Sequence, residues 1–205
     1  MAARSSKKPA PAGRPAGRGG ADLRRRLLDA ARRQLVQHGY AHLTMRRVAA
    51  RVGVTATAIY LHFKDKDDLV HALIDEGMEA LQLALEASDA RSAAPRVRLE
   101  GLCRALIEFG VSNPEYYEIM FLLHPQRMSR YPADKYRRAR QNLERFADAV
   151  DPFVKKGDPL LATHALWCLL HGTISLRISE RLDAALDPDA FSDEVVARGL
   201  RMLGA

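Results

Sequence analysis

Residues 44–69 read TMRRVAARVGVTATAIYLHFKDKDDL, and where their apolar side chains fall decides the fold. Thr44 stands where an N-cap belongs, and Gly53 ends MRRVAARV after about two turns. Thr55 caps an equally short helix, ATAIYLHF. Asp65 caps a longer one, with Asp67 and Asp68 in its first turn, where acids suit the helix dipole. Val48, Ala49, Val52, Val54, Ile59 and Phe63 would pack these helices together. Two short helices joined by V-G-V form a helix-turn-helix arrangement when a longer helix precedes them. With that core inward, Thr55, Ala56, Thr57, Tyr60 and His62 keep faces for another partner. Small side chains let a helix backbone approach the floor of a DNA major groove. There the Thr and Ala methyls can touch thymine methyls, and Tyr and His can reach phosphate.

Upstream, Leu23, Leu27, Ala31 and Leu35 recur every four residues with Leu28 beside them, which predicts the longer helix. Gly39 is placed to stop it. Residues 1–21 are rich in Pro, Gly, Ala and base without hydrophobic period, so a disordered basic tail is expected. The helix capped by Asp65 is expected to run from Lys66 to about Ala87. ASDARSAAP reads as a linker, Pro95 starts the next helix, and Asn113-Pro114 opens a short apolar one that His124-Pro125 closes. A basic amphipathic stretch follows from about Ala133 to Val154, then the apolar LLATHALWCLLHGTISLRISERL. A last helix is expected from about Ser192 to Leu203. The expectation is an all-α chain of about nine helices, with a DNA-binding part at 22–70 and a second helical domain at 71–205.

The quoted stretch resembles the DNA-binding signature of tetracycline-repressor (TetR) family regulators. The likeness extends over about residues 22–70 and includes Gly39, Thr44, Ala49, Gly53, Tyr60, Phe63 and Lys66. It implies that the Thr55–Phe63 helix enters the major groove of double-stranded DNA. Tyr60, His62 and Lys66 are then expected at phosphate, Arg46 at a base and Thr44 as cap and phosphate donor, with Lys64 a further DNA-binding residue. The run WCLLHGTISL at 167–176 resembles a C-terminal subtype marked by Trp and then His-Gly. In the family this half binds ligand and dimerises. The resemblance implies a homodimer on a palindromic operator, with Gly172, Ser175 and Ile178 at the dimer contact. It also implies an apolar or amphipathic small-molecule effector. Its cavity is expected among Phe109, Tyr116, Tyr117, Met120, Phe121, Trp167, Cys168 and His171, with Arg104 and His124 as polar contacts. The competing reading is that these aromatics only fill a core.

Charge agrees with a polyanion at one end. The net charge is +7, with about +5 in residues 1–21, +5 in 22–70 and −3 in the remainder. Cys103 and Cys168 are too few and too far apart for a disulfide scaffold, so reduced thiols in the cytoplasm are expected. His164, Cys168 and His171 share a helical face, but so apolar a helix favours burial over a metal site, and no metal or cofactor is expected. No catalytic motif appears, and no apolar run reads as long enough for a membrane span. The expected function is therefore a ligand-responsive repressor. The rivals are an activator, a regulator without a ligand, or a helical carrier or enzyme whose basic end is incidental.

The tail offers charge without a rigid surface, so it should act through counterion release. Deleting residues 1–21 should weaken binding to operator and random DNA by similar factors. The slope of log affinity against log salt should flatten by up to about 0.9 for each phosphate the tail would otherwise neutralise. Titrations against operators with altered flanks check this: weakening confined to A·T-flanked sites would mean minor-groove reading instead.

Overall fold

The computed structural model describes residues 16–91, 94–122 and 137–204. These hold nine α-helices and no strand. Helix α1 spans Ala16–His42, α2 Met45–Val52, α3 Ala56–Tyr60, α4 Lys66–Ser88 and α5 Pro95–Ser112. Helix α6, Pro114–Tyr117, continues as a π-helical turn, Glu118–Leu122. Helices α7 (Arg137–Val150), α8 (Pro159–Ile178) and α9 (Pro188–Leu203) complete the order.

The caps act as the sequence predicts. Thr44 accepts from the Arg47 N–H at 3.3 Å, Thr55 from the Ala58 N–H at 3.3 Å, and Asp65 from the Asp68 N–H at 2.8 Å. The Asp68 carboxylate accepts in turn from the Lys64 N–H at 3.0 Å, closing a reciprocal cap. Gly53 ends α2 at φ 77°, ψ 31°, where a side chain would be strained. Its N–H returns to the carbonyls of Ala49 and Ala50, which turns the chain tightly into α3.

Several boundaries differ from expectation. Helix α1 starts at Ala16, inside the predicted tail, because adding residues to a formed helix costs little compared with nucleating it. Gly39 breaks the helical backbone at φ 73°, ψ 169°, and α1 resumes beyond it as far as His42. Residues 1–15, His124-Pro125 and the predicted start at Ala133 lie outside the described residues. Helix α3 stops at Tyr60, short of ATAIYLHF, and the chain turns there so that Phe63 re-enters the core at 2% exposure. Helix α7 ends at Val150 because Pro152 cannot extend it, and a 3-10 turn, Asp151–Phe153, follows. Helix α8 ends at Ile178, before the predicted SERL. Helix α9 begins four residues early, where Asp187 caps the N–H groups of Asp189 and Ala190.

The helices enclose two apolar cores. Leu27, Leu35, Leu43, Val48, Ile59, Phe63 and Leu69 belong to the first, between α1, α2, α3 and the start of α4. Leu81, Leu85, Leu102, Leu106, Tyr117, Phe146, Leu166, Leu170 and Ile174 belong to the second. Helix α4 serves both: Leu69, Val70 and Leu73 face one core, Leu81 and Leu85 the other. Helices α5 and α8 approach closely at Gly110, where a Cβ would lie 2.5 Å from Ile174 Cγ2.

One ionic cluster ties α4 to the second core. The Asp89 side chain, 2% exposed, receives Arg98 from α5 and Arg145 from α7, each at 2.7 Å, and Arg91 at 3.2 Å. Burial opposes its ionisation, but the three arginines outweigh burial and hold its pKa near 2, below the ordinary 3.8. A lowered carboxylate pKa adds stability that is complete above the unfolded-state value and disappears as pH falls toward the folded-state value. Asp89→Asn should therefore cost about 2 kcal/mol at pH 7, the stability that a carboxylate pKa lowered from 3.8 to about 2 represents, while Arg145 keeps its pair with Glu86. The gap from wild type should narrow between pH 4 and pH 2, and urea unfolding across that range checks it.

Candidate nucleic-acid interface

Helix α3 has one buried residue, Ile59, which anchors it to α1 and α2. Its N-cap and other faces carry Thr55, Ala56, Thr57 and Tyr60, all exposed, with Tyr60 at 55%. Arg46 is exposed on neighbouring α2, and Lys64 is exposed just past α3. His62 is half-buried, its ring 6.5 Å from that of Phe63. Thr44 accepts the Arg47 N–H, which leaves its hydroxyl proton for an outside acceptor. The result is a rigid helix with a nearly bare tip and polar groups around it.

Lys66 departs from this set. Its ammonium donates to the Tyr40 carbonyl at 3.2 Å and sits 3.7 Å from the centre of the Tyr40 ring. It thus fastens the break at Gly39 onto α4. Tyr40 adds a hydrogen bond from its hydroxyl to Asp67, and its pKa is driven upward, first by burial and then by that carboxylate. The same fold reveals contacts that periodicity does not show. Arg24 lies 5.2 Å from the Phe63 ring centre, and Arg26 donates to the Val52 carbonyl at 2.9 Å. Both arginines have basic neighbours in sequence, and nothing in their spacing distinguishes them.

The predicted pocket residues divide into separate places. Tyr117, Phe121, Trp167 and His171 meet: Tyr117–Phe121 centres are 4.9 Å apart, Phe121–His171 4.7 Å and Trp167–His171 5.4 Å. Phe146, which the sequence does not single out, joins edge-on to Trp167 at 5.0 Å. The Tyr117 hydroxyl and His171 Nδ1 share a hydrogen bond. Burial lowers the His171 pKa to about 4 and raises that of Tyr117, so both are neutral at pH 7. The cluster offers a polar pair without charge inside an aromatic wall.

The others lie apart. Phe109 is buried in the second core. Tyr116 stacks under the Arg32 guanidinium at 4.6 Å, and Met120 packs on Gly77. Arg104 is a correction: on the outer side of α5 it pairs with Glu100 at 3.0 Å and with Asp193 of α9. Cys168 is another, exposed because one residue past Trp167 turns it about 100° around α8. His124 lies outside the described residues.

Helix α8 also corrects an expectation, since its length and composition would suffice for a membrane span. Only Thr163, Leu166, Leu170, Thr173 and Ile174 are buried. Its outer side bears Leu161, Cys168, Leu169, Gly172 and Leu176. A Cβ at Gly172 would meet nothing within 4 Å, while Ser175 and Ile178 are half-buried, Ile178 against the second core.

Two family models match: "Bacterial regulatory proteins, tetR family" over residues 27–73, and "Tetracyclin repressor-like, C-terminal domain" over residues 99–199. The chain belongs to the tetR family. A relative, the HTH-type transcriptional repressor Rv1474c of Mycobacterium tuberculosis, is 43% identical over 58 residues. That match spans 28% of this tetR-family chain and 31% of the relative. The crystal structure of SCO4313 is similar with a TM-score of 0.78 at 22% identity, covering 92% of this chain and 100% of that one. AibR, solved with isovaleryl coenzyme A and operator DNA, is similar at TM-score 0.68 and 19% identity, covering 85% and 96%. At these identities the two structures establish a shared fold.

Among the described residues no intramolecular bond holds the Tyr60 hydroxyl. Tyr60→Phe in this tetR-family chain should therefore keep its melting temperature while losing about 1 kcal/mol of DNA affinity. Thermal unfolding and a DNA titration on the same preparation check both halves, and unchanged affinity would remove Tyr60 from the interface.

Proposed function

We propose that the chain is a homodimeric transcriptional repressor, released from a palindromic operator by a small apolar or amphipathic effector. The observation that carries this reading is α3: capped by Thr55, held from behind by Ile59, and bare on its outer face. Residues 22–70 form the DNA-binding domain and 71–205 the ligand-binding and dimerisation domain, with α4 passing between them. Thr55, Ala56 and Thr57 approach the major-groove floor, Arg46 reaches a base edge, and Thr44, Tyr60, His62 and Lys64 contact phosphate. Lys66 takes part only if it leaves Tyr40.

The apolar outer side of α8 supports the dimer. Leu161, Leu169 and Leu176 are exposed there, Leu161 at 71%, and an apolar strip of this kind gains by being covered. Exposed Met202 of α9 adds a further uncovered apolar side chain. A second copy covering these helices would set the spacing of two recognition helices. The Tyr117–His171 pair, with Phe121 and Trp167, is the proposed effector contact: aromatic walls for an apolar body and a neutral hydrogen-bonding pair for one polar group. Effector binding would favour a dimer whose recognition helices no longer fit successive major grooves. Such a protein works in the cytoplasm, where the DNA is.

Selection of bound fragments from genomic DNA tests the reading. The expected outcome is a small set of fragments sharing one palindrome, with binding that weakens as salt rises. Recovery of no preferred sequence would overturn it, in favour of a helical carrier with an incidental basic end. Within a recovered operator, Arg46→Ala should relax preference at one position per half-site by about 1–3 kcal/mol. Titration of single-base operator variants checks that, and an equal effect on every variant would make Arg46 a phosphate ligand.

A further inference from the structure

A groove of about 550 Å³ lies between α1 and α2, lined by Gln34, His38, His42, Arg47 and Arg51. Among the described residues no acidic side chain lines it. Both histidines and both arginines are exposed, and among the described residues Arg47 donates to the His42 carbonyl at 3.3 Å. Elsewhere on this chain arginines find carboxylates: Arg25 with Asp22, Arg32 with Asp29 and Arg140 with Glu144. In this groove two cations stand together without one. At the floor is Gln34, 4% exposed, whose Oε1 has no hydrogen-bond partner. Leaving a buried amide oxygen unpaired is unfavourable, and this acceptor can be satisfied by a water though not by an anion itself.

The groove is not the face already assigned to base reading. Along α2 each residue turns about 100°, so Arg47 lies about 100° and Arg51 about 140° around the helix from Arg46. The spacing of Arg47 and Arg51, four apart, sets their guanidinium groups one above the other on one side. His38 and His42, on either side of the break at Gly39, line the same groove from α1. Paired guanidinium forks with imidazole N–H groups are the donor set that binds tetrahedral oxyanions.

We infer that this groove is a phosphate-binding site, with Arg47 and Arg51 gripping the anion and His38 and His42 closing the other wall. Gln34 Oε1 accepts a hydrogen bond from a water held beneath the anion, since a backbone phosphodiester has no P–OH to offer. Two sources can supply the phosphate: the DNA backbone beside the recognition-helix site, or a free phosphorylated small molecule. Only the first rests on the DNA-binding function proposed above.

The test uses the full chain, its Arg47→Gln/Arg51→Gln variant and the charge-keeping Arg47→Lys/Arg51→Lys variant, with melting temperatures confirming that each is folded. In the first arm, imidazole NMR resonances of His38 and His42 are followed as inorganic phosphate replaces chloride at constant ionic strength. In the second, the slope of log affinity against log salt is measured on one duplex recovered from the genomic selection. One groove per protomer predicts that the Gln variant flattens this slope by about 1.8, at about 0.9 per phosphate, with the Lys variant staying near wild type. Saturable shifts with phosphate, absent in the Gln variant, together with a flattened slope, support a site occupied by the DNA backbone. A flattened slope without shifts supports the backbone as sole source. Shifts with an unchanged slope, or in a chain that binds no duplex, support a free phosphorylated ligand and leave the groove intact while the DNA source fails. Neither shifts nor a changed slope would overturn the site.

Discussion

Helix α4 belongs to two cores at once, and the rest of the architecture depends on that sharing. Its first turns bury Leu69, Val70 and Leu73 against α1 and the two short helices, while Leu81 and Leu85 lie in the second core. Neither α2 nor α3 is long enough to persist alone, since isolated helices below about 12–15 residues are marginal in water. They are held by burial of Ile59 and Phe63 and by the α4 N-terminus, which Asp65 and Asp68 cap. A rigid rod that ends in both cores also fixes the orientation of one relative to the other.

A second connection runs beside it. The π-helical turn Glu118–Leu122 places Ile119 in the first core, whereas Tyr117 two residues earlier is fully buried in the second. Arg32 of α1 adds polar contacts here, pairing with Glu115 at 3.2 Å and lying over Tyr116. Burial and then the Glu76 carboxylate raise the Tyr116 pKa to about 12, which keeps it a neutral donor between α4 and α6. Tyr117 thus joins the aromatic cluster within a few residues of side chains that touch α1.

Two charged grooves among the described residues differ in kind. Between α5, α8 and α9, Arg104 and Arg177 are matched by Asp193 and Asp189, so the field there is largely cancelled. Between α1 and α2, among the described residues, no carboxylate lines the groove to offset Arg47 and Arg51. The excess positive charge of residues 22–70 is therefore gathered on particular surfaces as well as along the sequence.

The helix-turn-helix was legible from the sequence because its determinants are local. Thr44, Gly53, Thr55 and Asp65 each act on backbone groups within four residues, and the inward apolar positions follow from helical period. The same locality made Arg46, Thr57 and Tyr60 readable as outward-facing. Helix ends were less legible wherever packing overrode local signals: Phe63 drew the chain out of α3, and propagation carried α1 back to Ala16. The second domain was legible only as helices. Which aromatic meets which depends on contacts such as Phe146 with Trp167 and Tyr117 with His171, the latter 54 residues apart, and no periodicity encodes them. Lys66 shows the limit most plainly. Sequence resemblance puts its ammonium at phosphate, and the folding of α1 onto α4 puts it on Tyr40, 26 residues away. Local hydrogen bonding and period determined the elements and their outward faces; long-range packing decided which of those faces remained free.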